Sequence, residues 1–257
     1  MDLKIKGKYF VVCGASSGFG LSIAETLVAE GANILAIARK MEDLQLLKSK
    51  WPEQVDILSL DLTHEDAVQK IEDRISGIKL SGVLVNAGGP PAKSFAETDI
   101  QDWDDAYFNL VRWKVLITKR LLPLMKDSEY GRFVYVESAS VKQPMDNLVL
   151  STSMRLAVVG FVKTFSKEIA QSKITANILA PGFHETAAMK RLYKKKSENL
   201  GITEAEAKVF FEQQIPVGKL GDPNHLASLA VWLFSPYSDS VTGQTFCVDG
   251  GFVRSSL

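Results

Sequence analysis

Only two cysteines, Cys13 and Cys247, occur in the 257 residues, and both stand in apolar, strand-like runs. Two such thiols exclude a disulfide-dense scaffold and a cysteine metal centre; both are expected to be buried and free, and no metal site is expected. No apolar run reaches the ~18 residues of a membrane-spanning helix, and Met1-Asp2-Leu3-Lys4 leads into no signal-peptide core. A cytoplasmic protein with no membrane partner is the expectation. Net charge is also lacking, because 30 basic and 30 acidic residues cancel. The chain therefore has no global field to draw in nucleic acid or an anionic membrane. There is no linker, internal repeat or low-complexity segment, and α/β chains of roughly 250 residues commonly form one domain. One domain over 1–257 follows.

What is present is organised around Cys13-Gly14-Ala15-Ser16-Ser17-Gly18-Phe19-Gly20, set between the apolar run Tyr9-Phe10-Val11-Val12 and the helical spacing of Leu21, Ile23, Ala24, Leu27 and Val28. Strand, glycine turn and helix in that order suit a pyrophosphate. One glycine allows a positive-φ turn, one lets the backbone approach the ligand and one lets helix pack on strand. The helix N-terminus then offers free N–H groups and its positive dipole end. A second strand, Asn33 to Ala38, follows at the distance a βαβ dinucleotide-binding unit requires.

The alternation continues to the end of the chain. Strands are expected at Val55–Leu60, Gly82–Val85, Arg132–Val136, Ile174–Leu179 and Thr245–Val248. Helices are expected at about Ala67–Ile75, Gln101–Met125, Ser151–Ala170 and Asn224–Phe234. Seven apolar strands separated by helices imply an α/β fold with a doubly wound parallel sheet, helices on both faces and ligands beyond the carboxyl ends of the strands. The Lys-rich stretch from Phe183 to about Gln214 breaks the rhythm and reads as a lid or substrate segment. Its run Lys190-Arg191 with Lys194-Lys195-Lys196 reads as a solvated helix face, with an anionic substrate or carrier as the alternative.

From Tyr9 to about Gly251 the chain resembles the short-chain dehydrogenase/reductase family, and is similar to 3-oxoacyl-(acyl-carrier-protein) reductases. The resemblance implies a single NAD(P)-binding Rossmann domain. It implies that Gly14, Ser16, Ser17, Gly18, Phe19 and Gly20 form the cofactor loop, that Asp61 and Leu62 meet the adenine, and that Asn86, Ala87 and Gly88 form the turn after strand four. It places Pro181, Gly182 and Thr186 at the nicotinamide carboxamide, Asn109 at a proton-relay water and Ser138 as the catalytic serine. Val241-Thr242-Gly243-Gln244 and Val248-Asp249-Gly250-Gly251 match the family's C-terminal signature. A homodimer or homotetramer acting on a small-molecule carbonyl or alcohol is implied with them.

The end of the second strand bears on cofactor choice. Ala38 leaves no carboxylate for the ribose hydroxyls of NAD, and Arg39 and Lys40 supply two cations for a 2′-phosphate, so NADP(H) is favoured over NAD(H).

The family's Tyr-x-x-x-Lys pair is missing. Thirteen residues past Ser138 stands Ser151, and four further on Arg155; none of the six tyrosines has a lysine four residues after it. In the family the lysine lowers the tyrosine pKa so that the phenol protonates the alkoxide formed on hydride transfer, an effect worth ~10² to 10⁴ in rate. A serine hydroxyl is a weaker acid with a shorter reach, and a guanidinium does not deprotonate. Ser151 and Arg155 therefore keep a hydroxyl and a cofactor-binding cation without the relay. His184 and Tyr193 are the alternative proton donors. Two functions stay open: an NADP(H)-dependent oxidoreductase with a diverged active site, and a catalytically impaired NADP(H) sensor or partner subunit. Halohydrin dehalogenases, which resemble this fold and carry Arg beside a retained Tyr, are disfavoured by the intact glycines and Thr186.

Overall fold

A computed structural model of the chain describes residues 1–126 and 130–256. Its strands are β1 (Tyr9–Cys13), β2 (Asn33–Ala38), β3 (Val55–Ser59), β4 (Leu80–Val85), β5 (Gly131–Val136), β6 (Ile174–Pro181) and β7 (Thr245–Val248). They form one parallel sheet in the order β3-β2-β1-β4-β5-β6-β7. The direction of winding reverses between β1 and β4, which opens a crevice at their carboxyl ends.

Alternation along each strand divides the core. Phe10, Val12, Ile34 and Ala36 face the side covered by α1 (Gly18–Ala29), α2 (Met41–Lys50) and α10 (Pro223–Phe234). Val11, Cys13, Leu35 and Ile37 face α3 (Ala67–Arg74), α5 (Trp113–Leu121) and α7 (Val149–Ile169). Each fully buried Leu, Ile or Phe is worth about 1.5–3 kcal/mol, so the two layers together fix the register of the sheet. The helix α2, absent from the expected elements, follows Arg39 and Lys40 and buries Leu44 and Leu47.

The helix expected over Gln101–Met125 is interrupted. It comprises α4 (Ile100–Tyr107), a π-helical turn (Phe108–Arg112), α5 and the short α6 (Pro123–Lys126). Pro123 cannot continue the hydrogen-bond ladder, which ends α5 at Leu121. The segment after β6 forms two helices, α8 (Ala187–Leu200) and α9 (Glu204–Glu212), with a small core of Met189, Tyr193, Ala207, Ile215 and Leu220. Lys190, Arg191 and Lys194 are exposed, while the Lys195 side chain lies outside the described residues. No helix among the described residues is long and apolar enough to cross a membrane, and no group of three metal-ligating side chains occurs among them.

The expectation that both thiols are buried fails for Cys247. Cys13 is sealed on β1 at the centre of the sheet, and burial pushes its thiol up to about 12. Cys247 is exposed, because β7 pairs only with β6. A thiol reagent is expected to label one cysteine per native chain and the second only on unfolding, with Cys247→Ser removing the native reaction.

Candidate functional site

A cleft of about 710 Å³ runs along the carboxyl edge of β1, β2, β4 and β5. Its floor begins at the glycine turn, where Gly14 and Gly18 take φ of +70° and +54°. At Gly20 a Cβ would stand 2.0 Å from the Gly14 carbonyl oxygen, so α1 lies directly against the turn. Asn86 Nδ2 donates to the Cys13 carbonyl at 3.3 Å and ties the end of β4 to the end of β1. Ser17 caps α1 in an extended conformation without a side-chain bond, and the first turn carries no acidic residue. The opening N–H groups of α1 are thus left to a ligand in the cleft.

One end of the cleft is walled by Ala38, Arg39, Asp61, Leu62 and Thr63. Asp61 accepts from the Thr63 backbone N–H at 3.0 Å and from its hydroxyl at 2.7 Å, and the backbone bond holds its carboxyl below the usual carboxylate range. Arg39 is exposed on this wall; Lys40 is the N-cap of α2 and does not line the cleft.

The other end is walled by Asn109, Trp113, Val136, Glu137, Leu150, Arg155 and, across the opening, Thr186 and Arg191. The π turn opens the helix at Asn109, whose carbonyl accepts from Trp113 Nε1 at 2.9 Å while its side chain is exposed. Such turns insert one residue into a helix and recur at functional sites. Thr186 caps α8 by accepting from the Met189 N–H at 3.2 Å, and it touches the space beside Gly18.

Ser138, half-buried, and Ser151, buried, do not line the cleft. Ser138 Oγ accepts from the Ser140 N–H at 3.1 Å. Ser151 Oγ accepts from Arg155 Nε at 3.2 Å, one turn along α7. Gly20, Pro181 and Gly182 likewise do not line the cleft.

Both alternative donors are spoken for. His184 is buried rather than at the surface: its ring packs edge-on against Phe19 and fills the space above Gly221, with Nδ1 3.2 Å from the Gly182 carbonyl. Burial lowers its pKa. Tyr193 donates to Glu185 at 2.9 Å within the helical pair, and burial pushes its phenol up to about 12.

The group that sequence reasoning missed is a buried ion triad. Lys114 Nζ meets Glu137 Oε1 at 2.6 Å, and Arg155 Nη1 meets Glu137 Oε2 at 2.9 Å. The Lys114 and Glu137 side chains are 0% exposed and that of Arg155 is 7% exposed. A further bond runs from Arg155 Nη1 to the Val136 carbonyl at 3.3 Å. The signal was present: Lys114 lies on the face of α5 whose neighbours Leu110, Ile117 and Leu121 are all buried, where a lone charge requires a partner.

Burial lowers the Lys114 ammonium to about 8 against the pull of Glu137. Between pH 8 and the ordinary lysine value the unfolded chain holds more protons, so this residue makes stability rise with pH over that interval, whereas the cost of burying the ammonium is fully present below it. Denaturant titrations at pH 7.5 and 9.5 are expected to show that rise relative to Lys114→Met, in which it disappears.

Comparison with known proteins agrees with this geometry. A family profile described as enoyl-(acyl carrier protein) reductase matches residues 14–253. The 3-oxoacyl-[acyl-carrier-protein] reductase FabG of Aquifex aeolicus (strain VF5) is 26% identical over 259 residues, spanning 98% of this chain and 99% of that protein. The NADPH-dependent reductase BacG of Bacillus subtilis (strain 168) is 27% identical over 253 residues, spanning 95% and 97%. The crystal structure of L-sorbose reductase from Gluconobacter frateurii, complexed with NADPH and L-sorbose, superposes with a TM-score of 0.94 at 26% identity, covering 99% of this chain and 100% of that one. Glycine turn, reversed sheet order and a match over nearly the whole length converge: the chain belongs to the short-chain dehydrogenase/reductase family.

Proposed function

We propose that the protein is an NADP(H)-dependent oxidoreductase that reduces a carbonyl, or oxidises an alcohol, in a small molecule through a diverged active site. The observation that carries this is the continuous cleft from Arg39 to Arg155, which joins a phosphate-binding turn to a wall of polar groups. The residues fit a dinucleotide. Gly14, Ser16, Ser17, Gly18 and Phe19 would hold the pyrophosphate, Asp61 and Leu62 the adenine, and Asn86, Ala87 and Gly88 the central ribose region. Gly20 packs α1 close beneath, and Pro181 and Gly182 carry the chain to Thr186 at the nicotinamide. Gly88 has nothing within 4 Å of the place its Cβ would take, which leaves that stretch of floor open. When bound, the dihydronicotinamide supplies a hydride. Ser138, Ser151 and a water held near Asn109 would then polarise the acceptor, and Arg155 would supply the cation at the nicotinamide end of the cleft.

Cofactor choice rests on Ala38 and Arg39, with Lys40 close by. Ala38→Asp combined with Arg39→Ala is expected to weaken NADPH binding about tenfold or more and to narrow its advantage over NADH, measured by protein-to-nicotinamide energy transfer.

One observation favours a second reading, an NADP(H)-binding protein without turnover: both serine oxygens accept a hydrogen bond from within the protein, Ser138 from the Ser140 N–H and Ser151 from Arg155. NADPH oxidation over ketones, aldehydes and β-keto thioesters distinguishes the two. Turnover lost in Ser138→Ala supports the oxidoreductase; tight NADPH binding with no turnover supports the sensor. A homo-oligomer in the cytoplasm is part of the proposal, on the strength of family membership.

A further inference from the structure

The buried triad has a net charge of one positive unit when Lys114 is protonated, and it reaches the cleft through Arg155, the one member whose side chain is not fully buried. An unbalanced buried charge is costly unless something compensates it. Arg155 Nε is bonded to Ser151, and Nη1 to Glu137 and Val136. The third nitrogen, Nη2, is given no hydrogen bond by the described residues and points toward Gly89, where even an added Cβ would stand 3.5 Å away. Gly89 therefore leaves an open path from the cleft to a guanidinium edge. Arg191 lines the same cleft from α8, and the acidic residue Asp102 on the opposite wall is neutralised by Lys93 at 2.7 Å, leaving Asp105.

We propose that this end of the cleft is an anion site for substrates that carry a carboxylate, with Arg155 meeting the anion and Glu137 and Lys114 as positioning residues that fix and charge it. The inference rests on the reading of the cleft as a cofactor site and names the substrate class for it. Glu137 holds Nη1 and thereby sets the plane of the guanidinium, leaving Nη2 as the free donor. Lys114 shares the Glu137 carboxylate, so that Arg155 keeps most of its positive field toward the cleft. When Lys114 loses its proton, Glu137 answers Arg155 alone and the site becomes neutral. The charged groups that face Lys114 are Glu137, just past the end of β5, and Arg155 from α7. The nearby titratable group is Tyr135, whose hydroxyl is bonded to Thr118 at 2.7 Å and stays protonated over the range tested.

The test uses the intact protein and oxamate, a planar carboxylate that stays anionic from pH 6 to 10 and accepts no hydride. NADPH binding is measured first by fluorescence, and oxamate is then titrated by calorimetry into the NADPH complex and into the free chain. Oxamate is expected to bind the complex at pH 7 and to weaken about tenfold by pH 9.5, as one neighbouring charge is removed. Arg155→Met is expected to lose binding at every pH. Lys114→Met is expected to bind at pH 7 as weakly as the native chain at pH 9.5 and to show no pH dependence. Lys114→Arg, whose cation is permanent, is expected to keep the pH 7 affinity at pH 9.5. Thermal melts establish that each variant is folded, and the Lys114→Arg result stands if Lys114→Met is not. Absence of oxamate binding to the native chain, equal binding in Arg155→Met, or a pH dependence that survives in Lys114→Arg overturns the proposal. Failure of NADPH to bind while oxamate binding follows Arg155 overturns the cofactor reading instead.

Discussion

Glu137→Gln is expected to lower the free energy of unfolding by about 3–5 kcal/mol, the usual cost of removing one partner from a buried ion pair. The native carboxylate answers two cations, Lys114 at 2.6 Å and Arg155 at 2.9 Å, and none of its surface reaches water. The neutral amide leaves both cations buried without a counter-charge. Lys114→Met removes the opposite sign and leaves the Glu137–Arg155 pair balanced, so its cost is expected to be less than half as large. Urea unfolding followed by circular dichroism at pH 7 gives both values from their midpoints and slopes. Equal losses in the two variants would mean that the carboxylate is not the shared centre of the triad.

The second large effect is at Gly20. A Cβ there would lie 2.0 Å from the Gly14 oxygen, 2.6 Å from the Gly14 carbonyl carbon and 2.8 Å from Asn86 Nδ2. These are backbone and tethered atoms, so the conflict is relieved only by moving α1 or the turn. Ile23, Ala24 and Leu27 hold α1 in the core, so the turn is what shifts. Gly20→Ala is expected to cost about 1–3 kcal/mol in stability, as overpacking does, and to weaken NADPH binding by about 100-fold, since under the proposed function the displaced N–H groups are those that hold the pyrophosphate. Gly160→Ala is the control. It lies within α7 with nothing within 4 Å of the added Cβ, and it is expected to raise stability by about 0.5–1 kcal/mol without touching NADPH affinity. Equal NADPH affinity in Gly20→Ala and the native chain would exclude the turn as the phosphate site.

Much of this architecture was legible in the chain because its signals are local. Seven apolar runs became the seven strands, with ends displaced by two residues or fewer. The glycine turn was readable because positive φ and close approach demand glycine itself. The interruption at Asn109 was not readable, since a π turn carries no residue signature that separates it from an ordinary helical turn. The exposure of Cys247 was hidden for a similar reason: an apolar strand reads alike at the centre and at the edge of a sheet.

For the site, the sequence by itself determined which groups are available: three glycines in a strand-turn-helix setting, Arg39 after a strand that ends without a carboxylate, and a serine and an arginine four residues apart at Ser151 and Arg155. Those facts follow from composition and spacing along one chain. Only the tertiary structure decided what Arg155 does. Lys114, Glu137 and Arg155 are separated by 23 and 18 residues, and they meet because α5 and α7 pack on the same face of the sheet beside the end of β5. Charge pairing in a water-free interior depends on distance in space, and separation along the chain does not encode it.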